Sequence, residues 1–301
     1  MNCSLGLGTA QFNGTYGLNG GNNQLHSFKD VAQILSHANR HEVFQVLDLS
    51  NGYENSIDLV GKYIKEQGTR LRLILKYYEP NKQEKKSILE SINVLLDRLH
   101  VDKVDTIMLH NFQQYYENQH RWEDLQHCKK TGMTNKIGFS LYHPSEIRHL
   151  NRLHVDFDIL QIPVSVFDRR FAHWKQYLKT NNVEIHARSL FLQGLLLMET
   201  KQIPDIFYEQ HEKDFYQKHK RFHRLCKTYG VSPRDVCLNS VRSLDWVDVC
   251  VVGVDGLDQL QTNTESWGEK IPEELMHELY QMYVSENILD PTRWKPNGGM
   301  V

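Results

Sequence analysis

"LGLGTAQFNGTYGLNGG", residues 5–21, decides between two folds. A short apolar run leads into a glycine-rich segment. An open, doubly wound sheet that binds a dinucleotide begins in the same way, with G-x-G-x-x-G opening directly into a helix. Here Gly6-x-Gly8 is present, but position 11 is Gln, and the next amphipathic pattern starts only near Phe28. The fingerprint therefore fails in both residues and context. A dinucleotide bound by this chain would not sit on a Rossmann turn.

Outward from that stretch, apolar runs alternate with amphipathic segments. The strand candidates are Leu5–Gly8, Val43–Leu47, Leu71–Leu75, Thr106–Leu109, Lys136–Phe139, Phe157–Gln161, Val183–His186 and Val247–Val252. The helix candidates are Phe28–His41, Asn55–Gln67, Glu84–Leu99, Glu123–Thr131, Pro144–Leu153, Phe171–Thr180, a long stretch near Phe207–Tyr229, and Leu257–Trp267. Pro144 suits a first helical position, and Gly132 suits the position just past a helix end. Nearly all-apolar strands fit a parallel sheet covered on both faces. Eight strand–helix alternations without a Pro/Gly/Ser-rich linker predict a single-domain α/β fold over residues 1–301, a closed (β/α)8 TIM barrel. The doubly wound open sheet is the alternative.

Composition narrows the class. The chain has 301 residues, 40% of them apolar, and a net charge of −2, which argues against a nucleic-acid partner. No apolar stretch approaches the ~18 residues that span a bilayer. "MNCSLGLGTAQF" lacks the basic and apolar regions of a signal peptide. Cys3, Cys128, Cys226, Cys237 and Cys250 form no disulfide framework, so a reducing cytoplasm is the expected compartment. Sixteen histidines invite a metal reading. His219 and His223 are four apart in "KHKRFHRLC", residues 218–226, but Lys218, Lys220, Arg221 and Arg224 would repel a cation. That segment reads as a solvated helix face. No HExxH or paired CxxC is present, and no metal is expected.

Three consecutive strands run into ionisable side chains. "VLDLSNGYENS", residues 46–56, carries Asp48 at the strand end and Tyr53 on the loop. "LRLILK", residues 71–76, ends in Lys76, and "DTIMLH", residues 105–110, in His110. In a barrel these ends converge on one mouth. A phenol near pKa 10 is a poor acid at neutrality. An ammonium beside it favours phenolate, a carboxylate holds that ammonium charged, and a histidine can hydrogen-bond a substrate oxygen. The set suits proton transfer to a carbonyl oxygen. The bland alternative is a buried Asp48–Lys76 ion pair with Tyr53 and His110 unrelated to it.

These segments resemble the aldo-keto reductases over most of the chain. "LGLGTAQF" is similar to their first strand, "LDLSNGY" to their Asp-x4-Tyr segment, and "LILK" and "MLHNF" to the segments carrying their lysine and histidine. "KIGFSLYHP", "LQIP" and "VVGVDGLDQLQTN" resemble their fifth, sixth and eighth strand regions. "QIPVSVFDRR" followed by "EIHARSLFLQGLLL" looks closest to bacterial branches linked to sugar and surface-polysaccharide metabolism.

The resemblance implies an NADPH- or NADH-dependent reductase of an aldehyde or ketone on a sugar-like scaffold. Tyr53 would be the acid, Lys76 its tuner, Asp48 the partner of Lys76, and His110 the group orienting the carbonyl. Gly8 and Thr9 would lie by the cofactor, and Ser140 and Gln161 would hold the nicotinamide carboxamide. Arg188 takes the place of a stacking aromatic; its bland reading is an ion pair at the barrel rim. Ser189, Leu190, Gln193 and Gly194 would approach the pyrophosphate. Gly253, Val254, Gln259 and Asn263 would meet the adenosine. Leu141 replaces the Asn usual after Ser140. The adenosine segment carries Asp255 and Asp258 and no cation, so NADH is expected to bind at least as tightly as NADPH.

Arg169, Arg170 and Trp294 are candidates for the substrate. Their bland readings are a surface salt bridge for the arginines, beside Asp168, and a hydrophobic latch for Trp294. The partner is expected to be a small carbonyl compound, and the protein a monomer or small homo-oligomer. Two other functions share these residues: a cofactor-binding redox sensor with little turnover, and a sugar isomerase or epimerase that recycles its cofactor. A complete set of four groups favours turnover over sensing.

Overall fold

The computed structural model describes residues 3–13, 27–53, 55–79, 87–204, 207 and 213–294. Its strands are β1 (Ser4–Gly8), β2 (Phe44–Ser50), β3 (Arg72–Tyr77), β4 (Val104–Leu109), β5 (Thr134–Ser140), β6 (Ile159–Pro163), β7 (Glu184–Arg188) and β8 (Val249–Gly253). They pair in chain order, all parallel, and β8 returns to pair with β1. The sheet is thus a closed barrel rather than the open alternative, and closure leaves no edge strand with unpaired backbone groups.

Alternate residues of a strand face opposite sides. Val46, Ile74, Met108, Ile159, Val249 and Val251 fill the barrel interior as one cluster. Leu47, Leu75, Leu109 and Leu160, of the opposite parity, belong to the large core beneath the surrounding helices. Gly138 is required by the crowding inside: a Cβ there would lie 1.9 Å from the Ile159 carbonyl oxygen. Below the apolar plug, Glu184 binds Arg72 at 2.7 Å and His186 at 2.8 Å and also pairs with Lys136. Burial alone would raise the Glu184 pKa, but His186, Arg72 and Lys136 together hold it far below the usual carboxylate range. This network closes the end of the barrel opposite the mouth.

One step above the plug, at the same parity, stand Asp48, Lys76, His110 and Gln161. Two strands run past the expected ends, β2 to Ser50 and β3 to Tyr77. Asp48 and Lys76 are therefore inward-facing strand residues and do not terminate their strands.

Helices expected at Phe28–His41, Asn55–Gln67, Pro144–Leu153 and Leu257–Trp267 are found at Phe28–Arg40, Ser56–Gln67, Pro144–Arg152 and Leu257–Ser266. The first starts at Ser27, whose side chain and that of Asp30 cap each other's backbone N–H groups. Other helices went unforeseen: Phe112–Glu117, Pro233–Arg242, Glu273–Tyr280 and Glu286–Leu289. Ser232-Pro233-Arg234-Asp235 is a capping box with proline at a first-turn position, a start signal that was available in the sequence.

A second hydrophobic cluster joins the helix Lys213–Thr228 and the C-terminal helices to the loops after β6 and β7. Among the described residues no helix is long and apolar enough to cross a membrane. The glycine-rich residues 14–21, the start of the expected helix Glu84–Leu99, part of the stretch Phe207–Tyr229 and the tail beyond Trp294 lie outside the described residues.

Candidate active site

Three buried polar side chains close a ring at the barrel mouth. Lys76 Nζ donates to Asp48 Oδ2 at 2.8 Å and to Gln161 Oε1 at 2.9 Å, and Gln161 Nε2 donates to Asp48 Oδ1 at 2.8 Å. Burial pulls the Lys76 ammonium down, but Asp48 and the Tyr53 oxygen outweigh it and hold its pKa above the ordinary value. The Asp48 carbonyl is itself fixed by Thr9, whose N–H and hydroxyl donate to it at 3.1 and 3.0 Å.

The loop after β2 brings Tyr53 over this ring. Its phenol oxygen is a hydrogen-bond partner of Lys76, whose Nζ lies 5.2 Å from the Tyr53 ring centre. Asn51, in the Asn-Gly turn, clamps the loop by bonding the Tyr78 carbonyl and N–H, both at 2.6 Å. The His110 ring meets those of Tyr53 and Tyr78 edge-on at 5.7 Å. Burial first, then Lys76 and Arg188, push the His110 pKa well below the ordinary imidazole value, so it is neutral near pH 7. His110 Nδ1 lies 2.8 Å from Ser50 Oγ, which also accepts the Gly52 N–H at 3.0 Å. Ser50 was not singled out from sequence, although it shares the inward parity of Asp48.

A cavity of about 420 Å³ runs from Asp48, Tyr53, Lys76 and Gln161 past Arg188, Ser189, Leu190, Gln193 and Gly194 to Gly253, Gln259 and Asn263. Gly8 lines it, as do Gln11 and Arg234, which sequence reasoning missed. A smaller space of about 30 Å³ lies between Tyr53, His110, Ser140, Arg188 and Pro291. Thr9 and Val254 line neither: Thr9 serves Asp48, and Val254 is a core residue.

At the far end, Gln259 is tied to Asp255, accepting its N–H at 3.0 Å and donating to its carboxylate at 3.1 Å. Arg234 donates to Asn263 Oδ1, and Asn263 Nδ2 is buried with no partner among the described residues. An unmet buried donor costs on the order of 1–3 kcal/mol. An acceptor nitrogen of a bound purine would meet it, so these residues fit the adenosine end of a dinucleotide.

Among the described residues Arg188 makes no rim ion pair. Its guanidinium lies over the Tyr142 ring at 4.1 Å and donates to the Leu141 carbonyl at 3.0 Å and Ser189 Oγ at 3.2 Å. The loop that follows is strained: Ser189, Leu192 and Gln193 are non-glycine residues at φ 64°, 50° and 53°. Such strain persists only where surroundings enforce it and concentrates at functional sites.

The enforcers here include the two histidines expected on a solvated face. His219 is fully buried, with Nε2 3.0 Å from the Leu195 carbonyl and Nδ1 3.1 Å from Thr200 Oγ1. His223 Nε2 lies 3.1 Å from the Leu196 carbonyl. The pair turns inward because the β7 loop presents bare carbonyls to that helix face. No metal-ligating cluster occurs among the described residues.

Burial and the adjacent His223 push His219 down to about 4, against 6.5 for an ordinary histidine. The folded state binds fewer protons between those values, so stability falls as pH drops from 6.5 toward 4, by roughly 3 kcal/mol. Thermal melts across this window should show the loss, reduced in His219→Gln. Equal losses in both proteins would assign it to other groups.

The three substrate candidates point elsewhere. Arg169 donates to the Tyr280 carbonyl at 3.1 Å and stacks on that ring at 4.7 Å. Arg170 grips Asp168 with two bonds of 2.9 and 2.8 Å. Trp294 donates to the Asn287 and Ile288 carbonyls and packs edge-on to Phe207 at 4.9 Å. None of the three lines the mouth cavities. Trp294 acts as a latch, and the segment it anchors puts Pro291 against the smaller space.

Among solved structures, the chain is similar to aldo-keto reductase AKR11C1 from Bacillus halodurans in its holo form. The TM-score is 0.74 at 18% identity, over 92% of this chain and 91% of that one. It is also similar to a Pseudomonas aeruginosa protein described as an aldo-keto reductase, with a TM-score of 0.63 at 16% identity over 88% and 89% of the two chains. No curated protein matches by sequence. These structural likenesses speak to the fold alone. The model of the aldo/keto reductase family matches residues 4–283, nearly the whole sequence, so the chain belongs to that family of NAD(P)H-dependent oxidoreductases.

Proposed function

We propose that this chain reduces an aldehyde or ketone on a sugar-like substrate, with Tyr53 as the general acid. The observation that carries the reading is the Asp48–Lys76–Gln161 ring lying under Tyr53, with neutral His110 on the same small space. The reduced nicotinamide supplies the hydride when NADPH or NADH lies along the larger cavity.

This chain's residues do the rest. Tyr53 gives its proton to the carbonyl oxygen as charge builds there. Lys76 stabilises the phenolate that remains, and Asp48 keeps Lys76 charged. In the tautomer in which the Ser50 hydroxyl donates to His110 Nδ1, Nε2–H is left as the donor that orients the carbonyl. Ser140 and Gln161 steady the carboxamide; Gln161 keeps one N–H and one lone pair beyond its ring contacts.

Assays of cofactor oxidation over a carbonyl panel that includes keto-sugars and nucleotide sugars test the reading. Tight cofactor binding with no oxidation by any member would favour a redox sensor. Altered sugar without net oxidation would favour an isomerase.

For cofactor choice, a count of charge over residues 252–263 omits Arg234, which comes from the helix Pro233–Arg242 and lines the same end. No carboxylate pairs with it among the described residues, and burial pulls its pKa down. Arg234 would offset Asp255 and make the 2′-phosphate of NADPH acceptable. Arg234→Met should shift the affinity ratio toward NADH by about tenfold, or 1.4 kcal/mol. Fluorescence titration with both reduced cofactors at fixed salt checks this; an unchanged ratio would remove Arg234 from discrimination.

A further inference from the structure

We propose that Arg188 recognises an anionic group on the substrate, a carboxylate or phosphate within one or two carbons of the reacting carbonyl. The inference rests on the reductase reading and narrows its substrate class. Arg188 lines the small space shared with Tyr53 and His110 as well as the larger cavity.

The charges around it do not cancel. Asp48 and Lys76 neutralise each other at 2.8 Å, and His110 is neutral. Glu146 feels the Arg188 charge, but its Oε2 accepts the Tyr142 and His143 N–H groups at 2.7 and 2.9 Å and forms no direct ion pair with the guanidinium. Asp290 is held by His143 and Arg293. Among the described residues Arg188 therefore has no carboxylate in direct contact with it.

Its geometry leaves it ready for one. Two of its five N–H groups serve the Leu141 carbonyl and Ser189 Oγ, and Tyr142 covers one face. Arg188 is only half-buried and lines both cavities, so its side chain is not sealed in the core. A guanidinium held over an aromatic ring and lining the mouth is placed for two-point binding of a planar or tetrahedral oxyanion. Arg169 and Arg170, suggested for this task by sequence, are occupied elsewhere.

The test compares matched pairs, glyoxylate against glyoxal and glyceraldehyde 3-phosphate against glyceraldehyde, in wild type, Arg188→Met and Arg188→Lys. In wild type, kcat/KM should favour at least one anionic partner by thirtyfold or more, and the pair that responds tells carboxylate from phosphate. Arg188→Met should collapse that ratio, and Arg188→Lys should restore part of it. A parallel titration of the NADPH-bound protein with oxamate and inorganic phosphate reads anion binding from cofactor fluorescence. Saturation weakened tenfold in Arg188→Met supports the proposal even if no carbonyl is reduced, a result that would sink only the reductase reading. Ratios within threefold of unity in wild type overturn the proposal. So does an Arg188→Met loss confined to NADPH affinity, which would assign Arg188 to the cofactor.

Discussion

Tyr53→Phe is expected to lower kcat by roughly 10²–10⁴-fold while leaving the affinity for reduced cofactor near that of wild type. The substitution removes one oxygen. The ring keeps its edge contact with His110, and Lys76 keeps its bonds to Asp48 and Gln161. The fold should therefore survive, and the loss should fall on proton transfer. Neutral His110 cannot replace the phenol efficiently, because burial and two nearby cations oppose its protonation and so leave it without a spare proton near pH 7. Steady-state rates on a reducible substrate, with cofactor binding measured in parallel, check this. Turnover within threefold of wild type would remove Tyr53 from the mechanism.

Breaking the buried ring should cost both catalysis and stability. Asp48→Asn leaves the Lys76 ammonium without its counter-ion, and Lys76→Met leaves the Asp48 carboxylate with Gln161 as its remaining polar side-chain partner. At sites this buried, either change should destabilise by about 3–5 kcal/mol. The pH dependence has a definite sign. The folded-state pKa of Lys76 is raised, so its contribution is fully present below the unfolded lysine value of about 10.4 and is lost only as pH climbs through the higher folded value. Wild-type stability from this contact should thus persist through pH 10.

Catalysis separates the two roles. In Lys76→Met the phenolate loses its stabilising ammonium, so rates fall and the alkaline limb of the kcat profile moves to higher pH. Asp48→Asn keeps the lysine beside the phenol, with Tyr53 still favouring its charged form, and should be milder in rate than in melting temperature. Rates from pH 6 to 10 and thermal melts check both. An alkaline limb unmoved in Lys76→Met would show that the lysine does not tune the phenol.

The sequence by itself determined the barrel and the four groups at its mouth. Those features are local and periodic: apolar runs of strand length repeated eight times, with Asp48, Lys76 and His110 each following a run and Tyr53 close behind. The partners that complete the site were decided by tertiary structure. Gln161 closes a ring with residues 113 and 85 positions away, and Ser50 reaches His110 across β3. Arg234 enters the adenosine end from a helix that precedes β8, where no count over one segment could find it. His219 and His223 sit among basic neighbours and read as solvated, yet they face inward because bare carbonyls of the strained β7 loop lie opposite. Arg169, Arg170 and Arg188 are alike as letters. Only packing shows that the first two are taken, by a carbonyl and a carboxylate, while the third lines the mouth. A residue's type and its phase along a strand are written locally. Which charges end up compensated depends on groups brought together by closure of the barrel.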